Sequence, residues 1–283
     1  MRFGFWVEAE CADDSSRVLK EHPDWFFTRG HQHFLDFRNP AAFEYLVGTV
    51  SALLRKYEGS YVKFDFNQNL DCDPSGRAFI DYNAAYRRFL QEVRRRNPGV
   101  YLEGCASGGN MMNLGWARDF DSFWLSDNQS PYHGLRIVRE TMLRLPPRFI
   151  ERWLVARTAE GLQPDYEGHD ARLLACDDAT WKNVRSVTAG WLDAFAAGGP
   201  VGFSCDLTAF SPADLARLKA GVAARKAYDA VLPADATFTD DTITIGGKAY
   251  PSLKASNGLK LIPYCLWCNR EPGNEMQVWF RER

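Results

Sequence analysis

The sequence carries no excess of charge of either sign. Thirty-four Lys and Arg stand against 36 Asp and Glu, for a formal net charge of −2. That balance gives no electrostatic case for binding nucleic acid or an anionic membrane surface. No run approaches the ~18 apolar residues that would cross a bilayer. The Met-Arg-Phe-Gly start has no basic segment followed by an apolar core and a cleavage site, so no secretory signal is expected. Cysteine occurs, but not as a framework. Cys11, Cys72, Cys105, Cys176, Cys205, Cys265 and Cys268 are odd in number and irregular in spacing, which predicts reduced thiols in a cytoplasmic protein. Histidine is scarce. His31 and His33 would share a strand face, yet no third residue stands at metal-ligand spacing, so a hydrogen-bonded polar face is expected there. Cys265 and Cys268 lack a second pair and read as two strand cysteines.

What is present is a core. The chain is 46% hydrophobic, with nine Trp and nineteen Phe in 283 residues, enough for one large domain with or without a small appendage. Aromatic richness at near-zero charge suits carbohydrate, whose C–H faces pack on indole rings, and suits ordinary cores equally.

The stretch Tyr61-Val62-Lys63-Phe64-Asp65-Phe66-Asn67 predicts a buried strand, with a Gly59-Ser60 breaker before it and a polar loop after it. Alternation puts Lys63, Asp65 and Asn67 on one face and Val62, Phe64 and Phe66 on the other. In a sandwich the polar face would meet water. In a closed parallel barrel it points inward, where a lysine and a carboxylate need partners or a chemical role.

The same grammar runs along the chain. Strand-like runs at 2–7, 100–105, 123–127, 149–156 and 200–205 alternate with helical patterns. One helix opens at Asn39-Pro40, an N-cap followed by a proline at the first position, and runs to Lys56. Others are expected at 81–96, 132–143, about 178–195, and from Ser211 to Val231. A short helix follows Ser16, and 31–37 is a further extended run. Strand and helix in this alternation predict βαβ units and a parallel sheet. From Pro233 onward short antiparallel strands take over, around a Gly246-Gly247 hairpin. The expected organisation is therefore an α/β, (β/α)8 TIM-type barrel over 1–232, with a small β appendage over 233–283.

Acids stand near the ends of successive strands: Glu8, Asp65, Glu103 and Asp127. The C-terminal end of a parallel barrel is where βα loops converge on a site. Two chemistries fit. A carboxylate pair could hydrolyse a glycoside, one acid attacking the anomeric carbon while the other protonates the leaving oxygen. Alternatively, Asp65, Glu103 and Asp127 could hold a divalent cation in an enolase-like site with Lys63 as base. Sensitivity to chelation separates them.

Several ordered motifs carry a resemblance. Gly4-Phe5-Trp6-Val7-Glu8-Ala9-Glu10, His22-Pro23-Asp24-Trp25, the Asp65 strand, Glu103-Gly104-Cys105-Ala106-Ser107-Gly108-Gly109 and Trp124-Leu125-Ser126-Asp127-Asn128 together resemble the catalytic barrel of glycoside hydrolase family 36, the α-galactosidase family. The resemblance covers residues 3 to about 155. It implies Asp65 as nucleophile and Asp127 as general acid/base of a retaining α-glycosidase that needs no cofactor and acts on terminal α-galactosides or related oligosaccharides. It implies that Lys63 and Asn67 contact the sugar, that Trp6 packs against it, that Cys105 and Gly108 line the pocket, and that Arg29 is the candidate for a sugar-binding arginine. Gln68 stands where the family usually has Arg, and Gln129-Ser130 where it has Thr-Asp. Six barrel strands are counted where closure takes eight, strands 3–8 of the family barrel. The alternatives are a non-catalytic family member that at most binds sugar and the metal-dependent barrel enzyme. An incomplete barrel also predicts association with a second copy through its open edge.

Overall fold

The computed structural model describes residues 2–68, 70, 74–128, 131–158, 173–176, 184–187, 201–204, 206–231, 236–245, 248–258, 260–262 and 279–281. They fall into two units, Met1–Trp124 and Leu125–Arg283.

In the first unit, β1 (Phe3–Val7), β5 (Gly59–Asp65), β6 (Tyr101–Cys105) and β7 (Ser122–Trp124) form a wholly parallel sheet in that order. Between β1 and β5, a separate three-stranded antiparallel sheet is built from β2 (Cys11–Ala12), β4 (Gln32–Leu35) and β3 (Phe26–Arg29). The helices are α1 (Arg17–Glu21), α2 (Pro40–Lys56) and α3 (Arg77–Arg96). Parallel strands need crossovers, and α2 and α3 supply them for β5 and β6.

Local chemistry explains the helices. Asn39 caps α2, its side-chain oxygen accepting from the amides of Ala41 at 2.9 Å and Ala42 at 3.3 Å, with Pro40 in the first turn. Helix α3 begins four residues earlier than expected, after Gly76. Asp81, which looked like its start, instead pairs with Arg77 at 3.0 Å one turn back. Tyr82, Tyr86, Phe89, Leu90 and Val93 form its buried stripe. Phe37 lies at 5.1–5.5 Å from the rings of Tyr82, Tyr86 and Phe89, and Phe64 at 5.5 Å from Phe89. The outward face of β5 thus ends in an aromatic core, and both of its faces are buried, as a parallel strand requires.

The second unit holds α4 (Pro131–Met142), β8 (Ile150–Thr158), β9 (Leu173–Cys176), β10 (Val184–Val187), β11 (Val201–Ser204) and α5 (Pro212–Val231). It continues with β12 (Phe238–Ile245), β13 (Lys248–Ala255), β14 (Lys260–Ile262) and β15 (Trp279–Arg281). β8 pairs parallel with β11 and antiparallel with β9, which pairs antiparallel with β10. Strands β12 to β15 form an antiparallel sheet of their own. Ile245 stands opposite Lys248, as a two-residue hairpin requires; Gly246 and Gly247 themselves lie outside the described residues. Arg139 of α4 makes an ion pair with Asp240 of β12.

The six expected parallel strands are all present, and the class is α/β with the alternation of a (β/α)8 barrel. Two expectations fail. The long loop after 156 contains β9, and the helix expected over 178–195 contains β10. Val184-Arg185-Ser186-Val187 carries a helical apolar spacing in its neighbourhood, but pairing with Leu173–Cys176 prevails there over local periodicity. The remainder of 178–195, like Cys72, Cys205, Cys265 and Cys268, lies outside the described residues. The expected division at residue 233 falls between α5 and β12. No helix among the described residues is long and apolar enough to cross a membrane.

Candidate active site

Register sets the site. Trp6 of β1 stands opposite Lys63 of β5, and Lys63 opposite Glu103 of β6; one step further along, Asp65 stands opposite Cys105. Asp65 is the last residue of β5, whereas Glu103 sits in the middle of β6, a layer deeper than a strand-end acid. The deeper layer is an ion pair. Lys63 Nζ lies 3.4 Å from Glu103 Oε1 with the two side chains 8% and 0% exposed, and the Tyr61 hydroxyl donates to Glu103 Oε2. Lys63 Nζ also lies 4.2 Å from the centre of the Trp124 ring, the distance of a cation–π contact. Burial raises the carboxyl pKa of Glu103, and the neighbouring Lys63 and Tyr61 pull it back. Glu103 is a brace for Lys63, not a free ligand.

Above that pair, Asp65 is 7% exposed, and its Oδ1 has no hydrogen-bond partner among the described residues. A buried carboxylate oxygen without a donor is costly, and such atoms in a cleft mark places where something else binds. Beside it, Cys105 stands opposite Asp65 in register, and burial drives its thiol pKa upward, the charge of Lys63 opposing the shift and that of Asp65 adding to it. Cys105 is therefore a neutral thiol. Glycine is required both in β6 and in the loop after it. Gly108 has φ +87°, a region L side chains rarely enter. A Cβ on Gly104 would come within 2.9 Å of Phe120 and 3.0 Å of Phe123.

Asn67 ties the site together. Its amide nitrogen donates to Glu8 Oε1 and its backbone N–H to Glu10 Oε1 at 3.0 Å. Its Oδ1 accepts from Ser107 N at 2.9 Å and Ser107 Oγ at 3.1 Å. Glu10 is fully buried, with Oε2 unpartnered, and burial pushes its pKa up to about 8, reinforced by the charges of Glu8 and Asp65. The Cys11 thiol, 3.9 Å from Glu8 Oε2, is pushed up to about 12 by burial, reinforced by Glu10 and Glu8. Glu8, Glu10 and Cys11 are the one group of three potential metal donors within 4.8 Å of one another among the described residues.

Lys63, Asp65 and Asn67 lie along one face of β5 and the turn after it, with Cys105 opposite Asp65 and Gly108 in the loop after β6. Trp6 is in register with them but 61% exposed. Arg29 lies apart: it is exposed at the end of β3, its guanidinium 5.8 Å from the Phe27 ring. Asp127 is exposed, three residues beyond the end of β7, and belongs to the second unit. His33 is hydrogen-bonded on both ring nitrogens, to Thr28 Oγ1 at 3.1 Å and Asp14 Oδ1 at 2.7 Å, while His31 sits in the turn before β4. Sequence reasoning did not find the burial of Glu10 or the ring of Trp124 under Lys63. Alternation says which face a residue takes, not how deep it lies.

Comparison with known proteins decides the family. The family model described as Melibiase matches residues 1–165, more than half of the chain. The chain belongs to the Melibiase family. A second model, described as the glycoside hydrolase family 127 C-terminal domain, matches residues 126–281. The α-galactosidase of Escherichia coli is 33% identical over 157 residues, 52% of this chain and 22% of that protein. Probable alpha-galactosidase C of Aspergillus flavus is 31% identical over 185 residues, 61% of this chain and 25% of that protein. Among solved structures, the family 36 α-galactosidase AgaA of Geobacillus stearothermophilus superposes with a TM-score of 0.70 at 21% identity, covering 92% of this chain and 36% of that one. The α-galactosidase of Lactobacillus brevis gives 0.69 at 22% identity, over 92% and 35%. These likenesses establish the α/β barrel-type fold of a glycoside hydrolase family. The chain spans about a quarter of the length of the curated relatives it matches and about a third of the solved ones.

Proposed function

We propose that this melibiase-family chain carries the carboxylates of a retaining α-galactosidase, with Asp65 as nucleophile and Asp127 as general acid/base. The observation that supports this most is the state of Asp65: buried at the end of β5, one oxygen without a donor, above a fixed Lys63–Glu103 pair. In this reading Asp65 attacks the anomeric carbon of a terminal α-galactoside while Asp127 protonates the departing oxygen. Asp127 then takes a proton from water, which attacks the galactosyl–Asp65 ester and restores the original configuration. The neutral Cys105 thiol and the Gly108 amide border the sugar, and Lys63, tethered by Glu103 and Trp124, presents its charge to the substrate side. Retention requires the two carboxyls about 5–5.5 Å apart, against about 6.5–9.5 Å for inversion. Variants of AgaA from Geobacillus stearothermophilus have been solved in complex with raffinose and with stachyose, which supports galactosyl oligosaccharides as the substrate class here. We keep the cytoplasm as the proposed compartment, on the irregular cysteine spacing.

The test is Asp65→Ala. It should abolish hydrolysis of an aryl α-galactoside, and azide should restore turnover with β-galactosyl azide as product. Unchanged activity in that variant would remove Asp65 from the role. A second reading is sugar binding without catalysis; wild-type protein that binds galactose and leaves aryl α-galactosides intact would support it. The metal-dependent reading loses ground because Glu103, one of its three ligands, is bound by Lys63 and Tyr61.

A further inference from the structure

Three side chains around the turn from β1 into β2 form a cluster that the glycosidase chemistry does not use. Glu8 follows the last residue of β1, Glu10 comes two residues later, and Cys11 is the first residue of β2. One carboxylate oxygen of each acid and the Cys11 sulfur lie within 4.8 Å of one another.

Acids gathered on a surface are common and mean little by themselves. This group differs in its depth and in how its oxygens are used. Glu10 is fully buried, and its Oε2 has no hydrogen-bond partner among the described residues. A carboxylate oxygen sealed from water normally has a partner, a bound cation included. Both acids commit Oε1 to the same residue. Asn67 donates its side-chain amide to Glu8 Oε1 and its backbone N–H to Glu10 Oε1 at 3.0 Å. Oε2 of each is left out of that contact, and Glu8 Oε2 lies 3.9 Å from the Cys11 sulfur. Carboxylates that ligate a metal are oriented in this manner, by hydrogen bonds from neighbouring groups to the oxygen that does not ligate.

The backbone that carries the cluster is fixed. The Glu10 carbonyl accepts from Leu35 N at 2.9 Å and from the Tyr82 hydroxyl at 3.4 Å. Ala9 is buried, and Cys11 pairs with Phe34 across β2 and β4. The three donors are thus held together before a ligand arrives, so binding orders little further chain.

The donor set selects the ion. Magnesium and calcium take shells of about six or more oxygens, and a thiolate suits neither. Zinc takes four ligands, with bonds of about 2.0–2.2 Å to carboxylate oxygen and about 2.3 Å to thiolate sulfur. In a tetrahedron those bonds set an oxygen–sulfur edge of about 3.5 Å. The 3.9 Å between Glu8 Oε2 and Cys11 Sγ is close to that edge. Three protein ligands leave the fourth position to water.

We propose that Glu8, Glu10 and Cys11 form a zinc site that locks the turn after β1 to the loop after β5 through Asn67. Zinc replaces the Cys11 thiol proton and any proton on Glu10, and these leave to solvent. Its ligands are not those of the enolase-like site, and the inference does not rest on the glycosidase reading.

The experiment titrates the reduced, chelator-treated full chain with cobalt(II), which occupies zinc sites and is strongly coloured when four-coordinate. Thiolate ligation adds an intense near-ultraviolet charge-transfer band. One equivalent of cobalt is expected to give both signals, zinc to abolish them, and excess magnesium to leave them in place. Cys11→Ser should remove the charge-transfer band. Glu8→Gln, whose side-chain oxygen can still accept from Asn67, should weaken cobalt binding by about tenfold or more. That second variant keeps the test decisive where Cys11→Ser does not fold. Absence of a thiolate band at one equivalent would overturn the site. So would a band that survives Cys11→Ser, an affinity unchanged in Glu8→Gln, or displacement by magnesium. The two readings fail separately. A cobalt band in protein whose aryl α-galactoside hydrolysis survives Asp65→Ala defeats the glycosidase assignment and leaves this site standing; hydrolysis lost in Asp65→Ala, by protein that binds no cobalt, does the reverse.

Discussion

A carboxyl group sealed from water, with one oxygen lacking a donor, holds its proton more tightly than it would in the unfolded chain, and Glu10 is such a group. Its pKa of about 8 lies above the ordinary 4.5, so between those values the folded protein binds more protons than the unfolded one. Stability contributed through this group is full below about pH 4.5 and lost as pH rises towards 8, by at most about 1.4 kcal/mol per pH unit. Glu103 is raised in the same direction and adds to the slope. Glu10→Gln should therefore flatten the fall of the unfolding midpoint between pH 5 and 8. An unchanged slope, measured by thermal melts across that range, would show that Glu10 is ionised in the fold. In the sequence, Glu8 and Glu10 look alike. Only the Asn67 backbone and the roof made by Tyr82, whose hydroxyl donates to the Glu10 carbonyl at 3.4 Å, distinguish them.

At the scale of elements, most of the framework was legible because local signals and tertiary demands agree. Asn39-Pro40 starts a helix in any context, and Val62 and Phe64 alternate against Lys63 and Asp65 whether or not a barrel closes. What was not legible is where pairing partners decide. The β10 segment was read as helix because apolar residues around it recur at helical spacing, while its strand state depends on residues about ten positions away. Of the hairpin of β3 and β4 only the second strand was seen, within the extended run 31–37; Phe26–Arg29 becomes a strand through its pairing with Gln32–Leu35. The glycine of the Glu103-Gly104-Cys105 run had no visible reason in the sequence; the structure gives one. Phe120 and Phe123 occupy the space a side chain would need. Gly104→Ala should cost about 1–3 kcal/mol, the usual range for overpacking, seen as a lowered denaturation midpoint. A loss within error would mean that the two rings move aside.

For the whole molecule, the sheet edge at β1 is the feature that matters most physically. Among the described residues β1 is paired on one side only, by β5, and Phe3 and Trp6 on it are 47% and 61% exposed. An unpaired parallel edge with aromatic side chains is an association surface. Each few hundred Å² of such surface left in water forgoes several kcal/mol at about 25 cal/mol per Å², a large part of a typical domain stability of about 5–15 kcal/mol. These 283 residues on their own should therefore associate or fold poorly, and turn over aryl α-galactosides slowly. Light scattering that finds a stable monomer with fast turnover would show that the edge is covered.

The central claim is that Asp65 is the nucleophile, and the most direct test is to trap it. The protein is incubated with an epoxide of α-galactosyl configuration, which forms an ester with an enzymatic nucleophile, then digested and sequenced by mass spectrometry. The account predicts a single label on Asp65, absent from Asp65→Asn and prevented by excess galactose. A label on any other residue, or an unlabelled Asp65 peptide, would contradict it.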